Sequence, residues 1–502
     1  MIAIRTVPGA LTDRWVALRS ESPRRRRPPW PAWFLPVFAA VLLVQGALLA
    51  LIIPPLQSPD EPAHLSNLIL VANAGRPVSE AERDPRLEAA IVQWMERVHY
   101  WYYRWEPVPD PLPERLDAGI RPPLYYLIVS AVAAPSRPDT PLEWLYWGRL
   151  VSVLLTVATS CLVFCAAHAL YPRDPFVPVV TAAFVGFFPM QAYLGASASS
   201  DNLANFLAAA LFYLAARSLR GGISHARAAG ILAVLIGSFG IVGVSGFLAK
   251  LTTLFLIVPA LALAPLVVWA RRPAAPGQDI RRRLALSAGL GLPIGLVGVA
   301  AIGGSVLSYL RHRVLYPGTL EAIAALDPTR DALWIGLGDY WGRVHNQFLG
   351  NFGWLTIELR PELYLAADLV LLLGTIGLAI AAGRAIRQGL SRKRLLQHSD
   401  DVQLNRARQA FIILLGIWIA ASLGPLLVLY GMSAETGGGV QGRYLLPDLA
   451  PLAVLLALGW RSLLPPRGRP AGAVLLVAAF ATYHLAALLT AIIPAFYLSP
   501  FQ

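Results

Sequence analysis

Three residues whose side chains can do chemistry lie within five positions, directly after the first long apolar run. The stretch PDEPAH places Asp60 beside Glu61 and puts His64 four residues after Asp60. Residues at i and i+4 share one face of a helix, so the Asp60 carboxyl and the His64 imidazole are expected to be neighbours. A carboxylate can act as a general base, and an imidazole can orient it or bind an anion.

Local structure offers a second interpretation of the same stretch. Ser58 and Glu61 have the spacing of a capping box, with proline at a first helical position. The apolar residues that follow predict a short amphipathic helix that ends near Gly75. A cap would account for Ser58 and Glu61 but gives Asp60 and His64 no role. His64 also fits an interfacial histidine that hydrogen-bonds water, so both interpretations stay open on the pattern alone.

Composition identifies the elements that must position these residues. Hydrophobic residues make up 56% of the 502 positions and charged residues 14%, whereas soluble proteins carry about 25% charged residues. Apolar runs of about 20 residues recur, which is the length that crosses a bilayer as a helix. The sequence therefore predicts an all-α polytopic membrane protein. The net charge of +13 comes from arginines that flank the runs, which indicates topology signals and no nucleic-acid partner.

We predict about 11 transmembrane helices, at 32–53, 144–170, 176–195, 201–219, 227–246, 249–270, 284–310, 362–383, 410–430, 445–464 and 471–494. A shorter apolar segment at 122–135 is bracketed by prolines and is predicted to be a re-entrant or membrane-surface helix. If it crossed the membrane, every later arginine-rich loop would face outward, against the positive-inside rule. The N-terminus is then cytoplasmic and the C-terminus outside.

This topology divides the chain into six parts. They are a basic cytoplasmic tail (1–31), the first span (32–53), a long extracytoplasmic loop with the acidic motif (54–143), a transmembrane bundle (144–310), a second outer loop (311–361) and a C-terminal bundle (362–502). The first span is longer than the apolar part of a signal peptide, so it is predicted to be an uncleaved anchor.

A long first span, Pro-Pro, D-E-x-x-H, an amphipathic helix and G-R-P follow one another in an order that resembles the first outer loop of glycosyltransferases of the GT-C superfamily. More closely, it resembles the bacterial membrane proteins of domain-of-unknown-function family 2142. The motifs are PDEPAH, RPPLYYL, GRLVSVL, ASASSDNLANF, FGWL and GRYLLP, in order between residues 54 and 460. The GT-C resemblance implies transfer of a sugar from a polyprenyl-phosphate carrier to a glycan, lipid or protein acceptor at the outer face of the bacterial inner membrane. Family 2142 has no settled activity from which the sugar or the acceptor could be inferred, so both stay open.

Within that resemblance, Asp60 is expected to be the base that deprotonates the acceptor hydroxyl, with Glu61 as the second choice. Direct displacement would invert the anomeric carbon and would need no nucleotide. His64 is expected to bind the carrier phosphate or to orient Asp60.

The leaving phosphate is negatively charged and is stabilised by cationic donors, and the planar guanidinium of arginine can donate two parallel hydrogen bonds to phosphate oxygens. Arg443, followed by Tyr444, is the first candidate because it lies at the outer end of a span beside a glycine-rich segment. Lys250 and Arg121 are further substrate-binding candidates. An arginine at a span end also fits simple snorkelling to the interface.

Asp201 begins a predicted span, where an aspartate can serve as a cap. By resemblance, Asp60 and Asp201, with Glu435, would supply oxygen ligands for magnesium or manganese, although some members of the superfamily need no metal. The aromatic segment 94–107 fits either an interfacial belt or a stacking wall for a sugar, and 339–355 is predicted to be a surface helix that roofs the cavity.

Two other classes of function compete with the transferase. In a polyprenyl-lipid or envelope-precursor transporter or flippase, the acids would bind coupling ions and the arginines would hold a translocated lipid phosphate. Such groups are expected near the bilayer midplane, often in paired repeats, whereas here they gather at one predicted face. An envelope scaffold would give Asp60 no special role.

Overall fold

A computed structural model gives the fold. It describes residues 33–104, 106–116, 119–220, 256–270, 342–391, 399–436 and 441–498. The predicted cytoplasmic tail (1–31), the predicted spans 227–246 and 284–310, and Lys250 lie outside the described residues.

Helices dominate the described part of the chain. In order they are α1 (Phe34–Ile52), α2 (Glu61–Ala74), α3 (Pro85–Arg97), α4 (Leu124–Ala133), α5 (Pro141–Leu170), α6 (Phe176–Gly186), α7 (Pro189–Gly195), α8 (Asp201–Arg220), α9 (Ile257–Ala270), α10 (342–350), α11 (Pro361–Ser391), α12 (Ser399–Thr436), α13 (Leu449–Leu463), α14 (Arg469–Ala487) and α15 (Ile493–Tyr497). A 3-10 segment, Gly442–Asp448, leads into α13, and a π-helical turn, Leu488–Ile492, joins α14 to α15. Strands β1 (Asn351–Phe352) and β2 (Ile357–Glu358) form a small antiparallel hairpin.

Seven helical segments of the described residues are long and apolar enough to cross a membrane, and the pair α6 and α7 would make an eighth. Each of them falls on a predicted span, so the protein is a multi-pass helical membrane protein. The total of eleven spans stays a prediction.

The predicted span 176–195 is not one straight helix. The chain bends by 58° between α6 and α7, where Phe188 takes an extended conformation before Pro189. Proline lacks the N–H that a continuing helix needs and clashes with the preceding turn, so the residue before it leaves the helical region. The local Phe-Phe-Pro sequence is therefore the physical reason for the bend.

The first outer loop folds into the short helices α2, α3 and α4. Helix α4 has 10 residues, and it is an apolar helix too short to count among the spans, as predicted for 122–135. The predicted capping box is wrong: α2 begins at Glu61 without a side-chain cap. The Glu61 carboxylate is bonded instead to Arg149, 88 residues further along the chain.

The predicted surface helix at 339–355 is helical only in part. After α10 the chain turns into the β hairpin, and Gly353 and Leu355 both have left-handed φ angles, of 58° and 67°. The hairpin is fastened to the first loop, because the Trp354 indole donates to the Leu56 carbonyl (3.3 Å) and the Thr356 hydroxyl donates to the Tyr103 carbonyl (2.6 Å). It thereby closes over the segment that carries the acidic motif.

The transmembrane core is built around α5, α6, α8 and α13, whose inward faces join one large apolar cluster. α11 packs directly on α13, where a side chain on Gly459 would collide with the backbone of Gly374. Glycine at this crossing lets two spans approach closely, as is common in membrane bundles. The end of α1 and the first parts of α5, α8 and α13 lie at one end of the bundle, beside α2.

Candidate active site

Asp60 is the last residue before α2 and has a left-handed backbone, with φ of 62°. Aspartate and asparagine tolerate this conformation better than most residues. The turn presents the Asp60 carboxylate at the mouth of the bundle, where its side chain is 26% exposed. Among the acids of the PDEPAH motif, it is the one with access to a ligand.

Two arginines converge on this carboxylate. Arg443 Nη2 donates to Asp60 Oδ2 at 2.8 Å, and Arg121 Nη2 lies 3.7 Å from the same oxygen. The Arg443 side chain is only 4% exposed. Within the part of the chain that the structure describes, its Nε and Nη1 atoms have no hydrogen-bond partner. A buried guanidinium with unused donors facing a carboxylate is a site able to take an anion.

A close backbone contact positions Arg443. The N–H of Gly442 donates to Gln347 Oε1 at 2.9 Å, and a Cβ on Gly442 would collide with the backbone of α10 at Val344 and Phe348. Glycine is needed here because backbone atoms cannot move aside as a flexible side chain can. The Tyr444 ring lies 5.5 Å from the Arg443 guanidinium and flanks its charge.

Arg121 is positioned by Asn67, a buried residue of α2. Asn67 Oδ1 accepts the backbone N–H of Arg121 at 2.8 Å, while its amide nitrogen donates to the Ala63 carbonyl. The helix that carries the acidic motif therefore also fixes the chain just before α4. The Asn67 side chain links the two elements over 54 positions of sequence.

His64 is buried behind Asp60 rather than exposed at the interface. Its Nδ1 lies 2.8 Å from the Tyr126 hydroxyl and its Nε2 lies 3.2 Å from the Ser199 hydroxyl. Burial raises the pKa of Tyr126 and nearby Arg121 lowers it, the net shift being upward, so this hydroxyl stays protonated. The Ser199 hydroxyl in turn accepts the backbone N–H of Asp201 at 3.2 Å. His64 thus connects α2, α4 and the start of α8.

Asp201 also approaches Arg443, with 3.9 Å between Asp201 Oδ2 and Arg443 Nη1. The guanidinium thus contacts both of the carboxylates that were expected to hold a divalent cation. No group of three or more His, Cys, Asp or Glu side chains in the described residues could hold a metal ion. Arg443 supplies positive charge to both acids, so in the described residues its guanidinium takes the place predicted for a magnesium or manganese ion.

Glu61 occupies a different environment from Asp60. Its carboxylate and the Arg149 guanidinium form two parallel hydrogen bonds, of 2.9 and 2.7 Å, and both side chains are 0% exposed. Glu61 also accepts the N–H of Ala198, at 3.1 Å. Arg149 donates further to carbonyls at the end of α1, those of Ala50, Ile53 and Pro54. The pair ties α1, α2, α5 and the start of α8 together.

The aromatic segment of the first loop packs against the hairpin. The Arg104 guanidinium lies 4.6 Å from the Trp354 ring and donates to the Tyr100 hydroxyl at 2.8 Å. Burial raises the pKa of Tyr100 to about 12. Tyr100 and Trp354 meet edge to face, with ring centroids 5.0 Å apart. These rings form a wall above the Asp60 turn, and their role as a sugar-stacking surface stays a prediction.

Four residues that organise the site were not identified as such from the sequence. They are Asn67, Tyr126, Arg149 and Gln347. Arg149 lies within the quoted GRLVSVL motif, and a single arginine inside an apolar run is the signal that could have found it. Lys250 lies outside the described residues, and Glu435 lies where the structure describes only the backbone, so neither can be placed.

Fold and site together define a class: a helical multi-pass membrane protein that gathers carboxylates and guanidinium groups at one end of its spans. The family model described as Predicted membrane protein (DUF2142) matches residues 116–455. That range is more than half of the chain, so the protein belongs to this family, as the motif order predicted.

Two solved membrane enzymes are similar to this chain. One is the oligosaccharyltransferase of Archaeoglobus fulgidus, tethered in its crystal structure to an acceptor peptide with the NVT sequon. That alignment has 14% identity and a TM-score of 0.43, and it covers 93% of this chain and 56% of the archaeal one. The other is ArnT from Cupriavidus metallidurans, bound to undecaprenyl phosphate, with 14% identity, a TM-score of 0.43 and coverage of 93% and 74%. This chain therefore spans little more than half the length of the archaeal enzyme. Comparison with curated proteins finds no match.

Proposed function

We propose that this protein is a membrane glycosyltransferase that moves a sugar from a polyprenyl-phosphate carrier to a cell-envelope acceptor, with inversion at the anomeric carbon. The observation that carries the proposal is the Asp60–Arg443 pair: a partly exposed carboxylate is held by a buried guanidinium that has donors to spare. The resemblance of the first outer loop to that of GT-C glycosyltransferases supports the same chemistry. The site lies on the extracytoplasmic side of the inner membrane in this proposal.

The reaction needs one base and one anion-binding group. The acceptor oxygen forms a bond to the anomeric carbon as the bond from that carbon to the phosphate oxygen breaks. Asp60 takes the proton of the acceptor hydroxyl, and the electron pair of the broken bond stays on the carrier phosphate. Negative charge on that phosphate grows in the transition state, so preorganised cationic donors lower the barrier.

Arg443 can serve Asp60 and the phosphate together. A guanidinium has five N–H donors in a rigid fork, and Asp60 takes one Nη2 hydrogen at 2.8 Å. The Nε and Nη1 donors remain for phosphate oxygens, and Arg121 Nη2 lies 3.7 Å from the same Asp60 oxygen. Binding of the donor would thereby place the bond to be broken directly beside the base. Glu61, saturated by Arg149, is assigned a structural role in this mechanism.

Placement at the ends of the spans favours a transferase over a transporter. Asp60 precedes α2 outside the bundle, and Asp201 and Arg443 lie at the first turns of their segments. Coupling-ion sites of secondary transporters lie near the bilayer midplane. A lipid phosphate resides at the bilayer surface, and side chains at the ends of spans are expected at the same level.

The experiment uses the full chain in lipid nanodiscs with a panel of radiolabelled polyprenyl-phosphate sugars. Release of sugar from at least one carrier, abolished in Arg443→Gln and retained in Arg384→Gln, is the expected result. Arg384 is a matched arginine that donates to the Ser462 carbonyl at the other end of the bundle. Transbilayer movement of the carrier without release of sugar from any donor would contradict the transferase and support a flippase.

A further inference from the structure

A second charged region lies at the end of the bundle opposite Asp60. Helices α1, α6, α12 and α14 begin there, and α5 and α13 end there. These ends enclose a cavity of about 1060 Å³, which is as large as typical ligand sites. Phe34, at the start of α1, lines it, whereas the end of α1 contacts Arg149. At about 1.5 Å per residue, the length of α1 separates the two regions by roughly 28 Å.

The polar part of the cavity wall is strongly basic. It carries four arginines and one aspartate, Arg173, Arg408, Arg461, Arg469 and Asp174. Arg461 pairs with Asp174, which neutralises one of the four. Arg408 donates from Nε to the Leu170 carbonyl at 2.9 Å and lies 4.8 Å from the Tyr171 ring, contacts that leave its charge uncompensated.

Arg469 is the cavity arginine with an unsatisfied buried donor. Its Nε is buried and has no hydrogen-bond partner among the described residues. Leaving a buried donor of a charged group unpaired is costly unless a ligand satisfies it. Because Arg469 is the first residue of α14, its side chain is at the rim of the membrane-spanning segment.

The remaining wall is apolar and partly exposed. Phe176, Val179 and Val477 line the cavity beside the arginines, and Val474 is 69% exposed at its edge. A soluble anion would find no partner in this apolar wall, whereas an acyl chain could pack against the wall and cover it. Basic donors above an apolar groove are complementary to a phosphate headgroup with a hydrocarbon tail.

We propose that this cavity binds an anionic membrane glycerophospholipid, whose phosphate is held by Arg408 and Arg469 and whose acyl chain lies against Val477 and Val474. The lipid comes from the leaflet on the predicted cytoplasmic side. The site is separate from the Asp60–Arg443 pair, and it does not depend on the proposed transferase activity. The phosphate of a lipid bound there would offset the repulsion between the arginines of α12, α13 and α14 and so hold the ends of these helices together.

Native mass spectrometry of the detergent-solubilised full chain tests the proposal, with phosphatidylglycerol and phosphatidylcholine of matched acyl chains. We expect one tightly retained phosphatidylglycerol and weaker binding of phosphatidylcholine. The double variant Arg408→Gln/Arg469→Gln should bind phosphatidylglycerol about thirtyfold more weakly, since each arginine contributes about a factor of five. Arg467→Gln is the matched control, because Arg467 is exposed in the same turn and does not line the cavity.

A second variant tests whether phosphatidylglycerol binding can be lost without removing any arginine, so that misfolding of the double variant does not decide the result. Ala478→Trp adds bulk at an exposed wall position and leaves every arginine in place, so it should block the acyl chain and also weaken phosphatidylglycerol binding. Equal retention of both lipids would overturn the proposal. So would unchanged binding in the double variant, or displacement of phosphatidylglycerol by millimolar inorganic phosphate.

Discussion

Two neighbouring carboxylates, Asp60 and Glu61, each pair with a buried arginine, and the two pairs differ in the exposure of the carboxylate and in how many arginine donors are satisfied. Glu61 and Arg149 are fully buried, bonded through two parallel hydrogen bonds, and supported by three backbone carbonyls. Asp60 is partly exposed, and its partner Arg443 retains donors that no described residue accepts. A saturated pair holds the fold together, whereas an unsaturated pair at a surface is available to a ligand.

The largest expected effect comes from breaking the saturated pair. Glu61→Gln would leave the Arg149 charge buried without a counter-charge, which costs about 3–5 kcal/mol of stability. We expect a strongly lowered unfolding temperature in detergent and poor recovery of folded protein. An unchanged unfolding temperature would contradict the structural role assigned to Glu61.

Arg443→Lys tests the unsaturated pair, Asp60 and Arg443. Lysine keeps the positive charge but loses the planar fork that can serve a carboxylate and a phosphate at once. Turnover should fall about 100- to 1000-fold, as for the loss of one preorganised donor to a developing oxyanion. The unfolding temperature should change far less than in Glu61→Gln. Equal loss of stability in the two variants would mean that the two pairs do not differ as described.

Gly442→Ala tests how Arg443 is positioned. The added methyl group collides with the backbone of α10, and overpacking of this kind costs about 1–3 kcal/mol. We expect turnover to fall on the order of tenfold, because Arg443 moves with the displaced backbone. Gly383→Ala is the control, since a Cβ there meets nothing within 4 Å. Equal activities of the two variants would contradict the role of Gly442 in positioning Arg443.

The smallest effect is expected from removing divalent cations. Arg443 contacts both Asp60 and Asp201, at 2.8 and 3.9 Å, and supplies the positive charge that a cation would bring. Turnover should therefore be the same with EDTA as with added magnesium or manganese. A strict metal requirement would show that Arg443 leaves this position when the donor binds.

Much of the fold follows from local sequence. The apolar runs predict the spans that the structure describes, because length and hydropathy are local properties of the chain. The bend before Pro189 was not predicted, since 176–195 was expected to be one span, but its cause is equally local, because proline cannot continue the preceding helix. The acidic motif and Arg443 could be singled out because charged residues at the predicted outer ends of the spans are few.

The partners within the site could not be predicted in the same way. Arg149 reaches Glu61 across 88 positions and Gln347 reaches Gly442 across 95. Such contacts depend on which helices pack together and at what angle, and neither periodicity nor spacing encodes this. The capping-box prediction failed for that reason, since a distant arginine competes for Glu61 more strongly than its own backbone does.

The most direct test of the central claim is a comparison of donor binding and turnover in the native chain and in Asp60→Asn. Asparagine tolerates the left-handed backbone at this position, so the turn should be kept while the base is lost. We predict that donor affinity stays within about threefold and that sugar transfer falls about 100- to 10,000-fold, the usual contribution of a general base. Transfer that survives in Asp60→Asn at near-native rate, with donor binding intact, would contradict the assignment of Asp60 as the base.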